Sequence, residues 1–393
     1  MSRHLAWFFL AVAMLVVSAP LQAVTYEVGG CKTGASYVNF TTISAAVSGV
    51  PAGSTIQVCP GVYPEQVTIS QPLTLKGITF NNSSRSVITI NNPTGAPLAP
   101  NVTSIEAGPV YAQVLVQNVI PLGSVNIIGI TVDGTGGGAG CPTLAGIFYA
   151  SGTSGTVNEV AMRHQLTPGC FFASGNGIWA ENGASLNQTI TVENSSVHDF
   201  DSTGIQAISE QFPSTLTATI KGNFASNFVD VTVQHDRAQG IQNIGATSAI
   251  MDNFITSGSG NTPSTANLFG VISYPDANDD VGNVITASGN TVADLYGYAI
   301  TSQQFGDTAK SNKLSNVYAG LVVFFAVVES NTVMNTSQGY VFNASNPQCA
   351  SEGTISGNVV NDSSLAFFGL PLVQIQKNQV DSDDVVQMSP QCP

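Results

Sequence analysis

The chain has 393 residues, of which 9% are charged and 43% hydrophobic, and its formal net charge is −14. Soluble proteins usually contain roughly 25% charged residues, so this composition disfavours an ordinary helical protein. Ten basic residues against 24 acidic ones leave no basic surface for phosphate backbones, which excludes a nucleic-acid partner. The apolar content is sufficient for a large core, which disfavours a disordered chain.

The first 23 residues have the composition of an export signal. Arg3 and His4 precede an uninterrupted apolar run over residues 5–17, and small, turn-forming residues then lead to a cleavage site after Ala23. This run is too short to span a bilayer. We therefore predict a signal peptide at 1–23. The remainder, 24–393, is expected to be one domain without a membrane span, secreted to the periplasm, the cell surface or the medium.

Six cysteines follow the predicted cleavage site. An even number of cysteines in an exported chain indicates disulfides, although the sequence allows several pairings. Proximity along the chain favours Cys31 with Cys59, Cys141 with Cys170, and Cys349 with Cys392. None of the spacings is typical of a zinc site, so we expect no metal at these cysteines.

Two interleaved series indicate one structural unit repeated along the chain. The first series is a glycine followed by an apolar residue, at Gly146, Gly177, Gly204, Gly240, Gly270, Gly297, Gly320, Gly339 and Gly369. The second is an asparagine that ends a short alternating segment, at Asn194, Asn223, Asn253, Asn290, Asn312, Asn331, Asn358 and Asn378. Units this short cannot each enclose a core, so they must stack on one another.

Each unit is predicted to consist of strands and turns. In segment 216–221 the apolar side chains alternate with Thr and Lys, which is typical of a strand with one buried face. Stacked strands would bury columns of Ile and Val, and asparagines at equivalent positions would form a ladder of amide hydrogen bonds.

A short helix is expected to cover the open N-terminal end of this stack. One face of that helix would comprise Phe40, Ile43, Ala46 and Val47, with Asn39 as its cap and Gly49 as its stop. Covering the first strands in this way blocks pairing with another chain.

The helix at 43–47, the sequence Pro-Ala-Gly-Ser-Thr-Ile at 51–56 and Gly-Val-Tyr-Pro-Glu at 61–65 carry a resemblance to a known family. Segment 40–77 resembles the opening coil of pectin methylesterases and of other proteins of the pectin-lyase-like superfamily. The later Gly-Ile and Asn repeats are similar to the generic repeat of these proteins. The resemblance implies an all-β fold, a single-stranded right-handed parallel β-helix of about ten coils with a short N-terminal capping helix.

The catalytic signatures of that superfamily are absent from this sequence. The Gln-Asp-Thr-Leu, Asp-Phe-Ile-Phe-Gly and Gly-Arg-Pro-Trp segments of pectin methylesterases do not occur, nor does the Trp-Ile-Asp-His element of pectate lyases. Asp279 and Asp280 are similar to the paired aspartates of polygalacturonases, whose other motifs are missing. The resemblance therefore implies a fold and not a named activity.

Five of the six histidines and arginines that follow the predicted cleavage site, all except Arg85, lie between residues 163 and 237. With neighbouring aspartates they make a candidate catalytic set, predicted to lie in turns before strands. Its members are Arg163, His164, His198, Asp199, Asp201, His235, Asp236 and Arg237. Equivalent turns of neighbouring coils are adjacent in a stack, so these residues are expected to form one patch.

Three interpretations of this patch remain open. In β-elimination from a uronate, His198 or His235 would be the base, and the sugar carboxylate would be neutralised by Arg163 or Arg237. Ca²⁺ bound by Asp199, Asp201 and Asp236 is an alternative to the arginine, and no other cofactor is indicated. Hydrolysis would instead use two of the carboxylates. The third interpretation is that the residues only form turns.

A second set of residues is predicted to contact sugar rings. The residue after each Gly-apolar pair should point outward, and in successive units it is Phe148, Trp179, Gln206 and Gln242. Aromatic rings can cover the apolar face of a sugar, and amides match its hydroxyls. The alternative is that Phe148 and Trp179 pack beneath longer loops.

Two functions therefore remain possible from the sequence. The first is an exported monomer that binds a polysaccharide or cell-surface glycan in a lateral groove, with lyase or glycoside hydrolase activity left open. The second is a non-catalytic scaffold or adhesion protein of the cell surface, in which the β-helix serves only as a rigid rod.

Overall fold

A computed structural model describes most of the chain. The described residues are 25–32, 34, 37–78, 88–94, 96–119, 123–171, 174–183, 186–209, 215–227, 238–257, 268–275, 284–303, 306–323, 327–342, 354–368, 374–376, 378–380 and 386–387. Within these ranges the chain forms 35 strands and one helix. The predicted signal peptide lies outside them. No helix among the described residues is long and apolar enough to cross a membrane.

The N-terminal part contains the helix and nine strands. They are β1 (Thr25–Val28), β2 (Tyr37–Phe40), α1 (Ile43–Gly49), β3 (Ser54–Val58), β4 (Gly61–Pro64), β5 (Val67–Ile69), β6 (Leu73–Gly77), β7 (Ile88–Asn91), β8 (Val102–Ser104) and β9 (Gly108–Val116).

The central part contains twelve strands. They are β10 (Ser124–Ile128), β11 (Thr131–Asp133), β12 (Thr143–Tyr149), β13 (Ser154–Asn158), β14 (Ala161–Gln165), β15 (Gly175–Asn182), β16 (Asn187–Glu193), β17 (Ser196–Phe200), β18 (Thr203–Ser209), β19 (Thr215–Lys221), β20 (Phe224–Ser226) and β21 (Gln239–Ile244).

The C-terminal part contains fourteen strands. They are β22 (Thr247–Met251), β23 (Phe254–Thr256), β24 (Leu268–Tyr274), β25 (Ile285–Ser288), β26 (Thr291–Ser302), β27 (Thr308–Lys310), β28 (Lys313–Val323), β29 (Val327–Glu329), β30 (Thr332–Phe342), β31 (Thr354–Ser356), β32 (Val359–Phe368), β33 (Gln374–Gln376), β34 (Gln379–Val380) and β35 (Val386–Gln387).

The strands form three parallel faces that the chain visits in turn. The first face has the order β2-β1-β3-β6-β10-β13-β16-β19-β22-β25-β27-β29-β31-β33. The second face contains β4, β7, β11, β14, β17, β20 and β23, and the third contains β5, β9, β12, β15, β18, β21 and β24. From β26 onward, long strands cross from the second face to the third. The predicted right-handed parallel β-helix is confirmed, and twelve first-face strands from β3 to β33 are close to the ten coils expected.

Alternation along each strand creates the core. In β19, Leu216, Ala218 and Ile220 point inward and are buried, while the intervening threonines face outward. Parallel register then places Ile220 beside Val192 on one side and Ile250 on the other. Repetition of this pairing along the axis produces one continuous apolar core in which each coil covers the next.

A ladder of asparagine amides runs along the corner between the first and second faces. Each amide nitrogen from Asn223 to Asn358 donates to Oδ1 of the asparagine in the next coil, at 2.9–3.0 Å. The members are Asn223, Asn253, Asn290, Asn312, Asn331, Asn358 and Asn378. The prediction was wrong for Asn194, because Ser195 occupies that position and donates its N–H to Asn223 Oδ1 at 3.0 Å.

The helix α1 covers the N-terminal end of the stack, burying Ile43, Ala46 and Val47 as predicted. Its cap is Thr42 and not Asn39, since Thr42 Oγ1 accepts the N–H of Ala45 at 3.1 Å. The Glu65 carboxylate accepts the first two helical N–H groups at 2.7 and 2.8 Å, which satisfies donors that have no partner within the helix. Asn39 lies instead in β2.

Two of the three predicted disulfides are confirmed. Cys31 is bonded to Cys59, and Cys141 to Cys170. Cys349 and Cys392 lie outside the described residues, so their pairing stays a prediction.

Substitution of Asn290 by alanine should destabilise the fold strongly. Asn290 is buried, its Oδ1 accepts two bonds from Asn253, and its amide donates to Asn312 Oδ1 and the Ile250 carbonyl. Alanine leaves these buried groups unpaired, and each such group costs about 1–3 kcal/mol. We expect the free energy of unfolding in urea to fall by at least about 3 kcal/mol. In Asn187→Ala, an exposed control in β16, the change should stay below about 0.5 kcal/mol, and equal effects would contradict the ladder's role.

Candidate functional site

The loops that connect the second face to the third differ in length from coil to coil. Nine residues, 134–142, connect β11 to β12, and nine more, 166–174, connect β14 to β15. The Cys141–Cys170 disulfide joins these two loops. In the next coil only Asp201 and Ser202 connect β17 to β18. The connection at this coil is therefore short, and the second face continues there directly into the third. We call this position the low corner.

The corner imposes an unusual backbone conformation on one residue of most coils. Positive φ angles of 50–58° occur at His164, Asp199, Asn227, Asp294, Asn316, Asn335 and Asp362. Asparagine and aspartate tolerate this left-handed conformation better than other residues with a side chain, and they occupy the corner elsewhere. A histidine replaces them only at residue 164 of this series. Strained positions of this kind often belong to functional sites.

Five charged or titratable side chains from three neighbouring coils meet beside this corner. Register pairs Asp133 with Arg163, and Arg163 with His198. Arg163 Nε donates to Asp133 Oδ2 at 2.8 Å, and His164 Nδ1 lies 3.0 Å from Asp133 Oδ1. On the other side, Asp199 Oδ2 lies 3.5 Å from His164 Nε2 and 2.6 Å from His198 Nδ1. We call these five residues the His–Asp cluster.

Asp133 is the most constrained carboxylate of the cluster. Burial would by itself raise the pKa of Asp133, but hydrogen bonds from Thr135 and His164 and the charge of Arg163 outweigh it and hold the pKa below its ordinary value. This carboxylate is therefore ionised at neutral pH and fixes both Arg163 and His164.

The His198 ring is oriented by Asp199. Because Nδ1 lies 2.6 Å from Asp199 Oδ2, the hydrogen bond favours a proton on Nδ1 and leaves Nε2 as the basic nitrogen. The side chains of His198 and Arg163 are 30% and 31% exposed, so both reach solvent on the second face. This arrangement can accept a proton from a bound molecule.

The structure brings together only part of the predicted catalytic set. Arg163, His164, His198 and Asp199 meet, but they lie in β14 and β17 and not in turns before strands as expected. His235, Asp236 and Arg237 lie outside the described residues. Their place in the set stays a prediction.

Asp201 is buried and turned away from the cluster. Its carboxylate accepts the Thr167 N–H and hydroxyl and the Gly175 N–H. Burial raises the pKa of Asp201, although these hydrogen bonds lower it in part. These bonds hold Thr167 and Gly175 on either side of the connection from β14 to β15, so Asp201 supports the corner, and its role in binding Ca²⁺ stays a prediction.

A groove of about 350 Å³ lies on the third face beside the low corner. Its polar lining includes Glu106, Asn176, Thr203, Gln206, Gln239 and Gln242. With Trp179, three of the four predicted sugar-contacting residues therefore line it. Thr203 follows directly after the two-residue connection from β17. The groove and the His–Asp cluster therefore adjoin over the low corner.

The aromatic residues predicted to contact sugar are covered. Strand β8 forms an antiparallel hairpin with β9, a strand of the third face, and Ser104 Oγ and the Ile105 N–H at its turn donate to the Glu181 carboxylate. Phe148 is fully buried beneath it, 4.9 Å between ring centroids from Trp179. The prediction of an accessible Phe148 was wrong, because this hairpin covers it and not the longer loops that the alternative named. Trp179 is also buried but borders the groove.

Three polar atoms at the groove have no hydrogen-bond partner among the described residues. They are Trp179 Nε1, Gln206 Oε1 and Gln239 Oε1. Buried polar atoms are nearly always paired, so three unpaired ones around one groove call for an explanation.

Sequence reasoning missed Asp133 and Glu106. Asp133 ends the buried segment 130–133 one coil before Arg163, and its spacing from Arg163 matches that of the coil repeat, which was a usable signal. Glu106 lies at the turn between β8 and β9, in the one antiparallel pair among the described strands, which interrupts the repeat that guided the prediction.

Comparison with known proteins supports this architecture. Residues 28–295 match the family described as "Protein of unknown function (DUF1565)". The chain belongs to the DUF1565 family. No curated protein sequence matches it.

Two solved structures illustrate the fold of this DUF1565 protein. The A-module of mannuronan C-5 epimerase AlgE4 from Azotobacter vinelandii aligns with a TM-score of 0.61 at 13% identity, over 85% of this chain and 89% of that one. The native GH136 lacto-N-biosidase from Eubacterium ramulus aligns with a TM-score of 0.56 at 11% identity, over 91% of this chain and 67% of that one. At these identities the likeness shows the fold alone, which is the parallel β-helix that the sequence resemblance implies.

Replacing Asp133 by asparagine should destabilise the protein at neutral pH. The variant loses the ion pair with Arg163 and turns one amide N–H toward a donor, which should lower the free energy of unfolding by about 2 kcal/mol at pH 7. Because the folded pKa of Asp133 is lowered, this stability is present above the unfolded pKa of about 3.9 and is lost as pH falls through the folded value.

The difference between wild type and Asp133→Asn should therefore shrink on acidification below about pH 4. Urea denaturation across this range measures it. Asp294→Asn, at an exposed position of the same corner, should show no comparable difference. A difference for Asp133→Asn that stays constant down to low pH would contradict the assignment.

Proposed function

We propose that this protein binds a polysaccharide in the third-face groove. The observation that carries the proposal is the set of three unpaired polar atoms, Trp179 Nε1, Gln206 Oε1 and Gln239 Oε1. A hydroxyl group both donates and accepts, so sugar hydroxyls can pair with the indole N–H and with the amide oxygens after small side-chain rotations. Few other ligand classes offer both functions at the close spacing of a sugar ring.

The surrounding residues suit the same ligand. Asn176, Thr203 and Gln242 add amide and hydroxyl groups, and Glu106 adds one carboxylate. Export, inferred from the two disulfides and the predicted signal peptide, would place this groove where extracellular and periplasmic polysaccharides occur. The same fold carries enzymes named for mannuronan and for a lacto-N-biose unit, which is in keeping with a glycan ligand.

We further propose that His198 removes a proton from a sugar ring at the low corner. Asp199 orients the imidazole through Nδ1, which leaves Nε2 as the basic atom of a partly exposed side chain. Arg163 lies beside His198 and can stabilise the negative charge that develops when a proton is removed next to a carboxylate. Elimination and epimerisation both begin with this step.

Hydrolysis is less well supported by the geometry. That reaction needs one protonated carboxylic acid beside the scissile bond. Asp133 is held ionised by its partners, and Asp201 is buried and bonded to the backbone of loop 166–174. Neither carboxyl group is arranged to donate a proton to a leaving group.

A non-catalytic glycan-binding rod is the second candidate. The observation in its favour is that Asp133 and Asp199 are fully engaged with Arg163, His164 and His198 inside the cluster. Such pairing is also what a purely structural corner requires. The two candidates share the groove and differ in whether the sugar reacts.

We predict that replacing Gln242 by alanine weakens the binding of a polysaccharide in the groove. Gln242 borders the groove, and loss of its amide removes hydrogen bonds to a bound sugar. We expect affinity for the tightest-binding polysaccharide of a panel to fall about tenfold, measured by isothermal titration calorimetry. The panel comprises polymannuronate, polygalacturonate and neutral glucans. Gln338→Ala, on the same face four coils beyond Gln239, should change affinity less than about twofold, and equal losses would contradict this location.

We predict that replacing His198 by alanine reduces the rate of turnover by a larger factor. Removing a general base costs about 10²–10⁴-fold in rate. Incubation with polyuronates, followed by ultraviolet absorbance of unsaturated ends and by NMR of the ring configuration, measures both elimination and epimerisation. Asp199→Asn should slow turnover at least about tenfold, because it no longer fixes the ring, while Asp294→Asn at the same corner should not. Turnover that survives in His198→Ala would contradict this role, and binding without turnover in the wild type would favour the rod.

A further inference from the structure

Two phenylalanines are exposed on the second face near the His–Asp cluster. Phe224 and Phe254 are 43% and 41% exposed, although large apolar side chains are rarely left in solvent in pairs. Their rings stack with centroids 5.5 Å apart and planes inclined by 20°. Each follows a ladder asparagine, so the sequence places both at the same point of consecutive coils.

Phe224 is the ring of this stack that lies nearer the His–Asp cluster. Register places Phe224 between Phe254 in one neighbouring coil and Ser196 in the other. Because the two rings are nearly parallel, the face of Phe224 that does not meet Phe254 is turned toward the coil of Ser196. Ala161 lies beyond Ser196 in the same column. A shelf results, in which two small side chains form the floor and an aromatic ring forms one wall.

Cationic and basic groups border the other edge of this shelf. Arg163 and His198 lie two residues after Ala161 and Ser196 in their strands, on the same outward side. Arg163 uses Nε to bind Asp133, and its two terminal Nη groups have no hydrogen bond within the described residues. His198 likewise has no partner for Nε2 in that part of the chain. Arg163 and His198 are partly exposed, so they flank the surface formed by Ala161 and Ser196.

We propose that this shelf holds an acidic sugar residue, with the apolar face of its ring against Phe224 and its carboxylate on the Nη groups of Arg163. The two Nη donors match the two oxygens of a carboxylate, and Asp133 fixes the guanidinium in place. The inference rests on the proposed function and names its substrate class, a uronate-containing polysaccharide. The sugar's ring protons would then lie beside His198 Nε2.

A sugar fits this surface better than a protein partner does. The shelf spans two coils, or about 10 Å along the axis at about 4.8 Å per strand, which is the size of one or two sugar rings. A stable protein interface needs about 800 Å² on each partner and a larger apolar centre. The positive charge of Arg163 at the edge of the shelf also favours an anionic ligand. A uronate carries a negative charge, and a neutral glycan does not.

The test compares acidic and neutral oligosaccharides of equal length, oligomannuronate and a neutral mannan oligomer, by calorimetric titration of the full chain. The wild type should bind the acidic oligomer at least about tenfold more tightly. Phe224→Ala should weaken that binding about tenfold, and Arg163→Gln about tenfold to a hundredfold, with little change for the neutral oligomer. Phe254→Ala is the matched control, on the far side of the stack, and should change affinity less than about twofold.

A second variant tests the shelf without changing any residue of the His–Asp cluster. Ser196→Phe adds a third ring to an exposed stack and fills the shelf, so the protein should remain folded while acidic binding is lost. Equal affinity of the wild type for both oligomers, or unchanged acidic binding in Phe224→Ala and Ser196→Phe, would overturn this inference alone. Failure of every glycan to bind the wild type would overturn the proposed function, and the shelf's role with it.

Discussion

Hydrogen bonding between consecutive coils fixes which side chains become neighbours in this protein. A residue in one strand is paired with a residue about 20 to 50 positions later, and every side chain beside it inherits the same alignment. A slip of one residue would exchange the buried and exposed sides of a strand, which the apolar core prohibits. The asparagine ladder adds a second restraint from Asn223 onward, because each amide donates to its successor at a fixed height along the axis.

This alignment is what assembles the His–Asp cluster. Asp133, Arg163 and His198 are far apart in sequence, yet they occupy consecutive coils of one column. Repeating one charge along a column would place like charges about 4.8 Å apart, and the cluster avoids this by alternating carboxylates with Arg and His. The low corner at Asp201 and Ser202 then connects the cluster to the groove, while the disulfide-linked loops rise on one side of it.

Much of the fold could be predicted from the sequence, because the corners and the core each require particular residue types and these recur in every coil. The strands, the ladder from Asn223 onward, the capping helix and two disulfides follow from alternation, turn chemistry and proximity. Asn194 was misplaced by one residue, because spacing alone cannot separate the left-handed corner position from the ladder position beside it. Phe148 was assigned correctly to the outward side of its strand. The β8–β9 hairpin that buries it could not be predicted, because it is not part of the repeat. The partnership of Asp133 and the exposed Phe224–Phe254 stack depend on register between coils, which only the three-dimensional structure supplies.

The most direct test of the account is a crystal structure of the protein with a bound oligomannuronate. We expect a sugar ring above Ser196, with its carboxylate within hydrogen-bonding distance of Arg163 and a ring carbon next to Nε2 of His198. The rest of the oligomer should pass over the low corner into the groove. A ligand seated on another face, or one in the groove that leaves the surface between Phe224 and Arg163 empty, would contradict it.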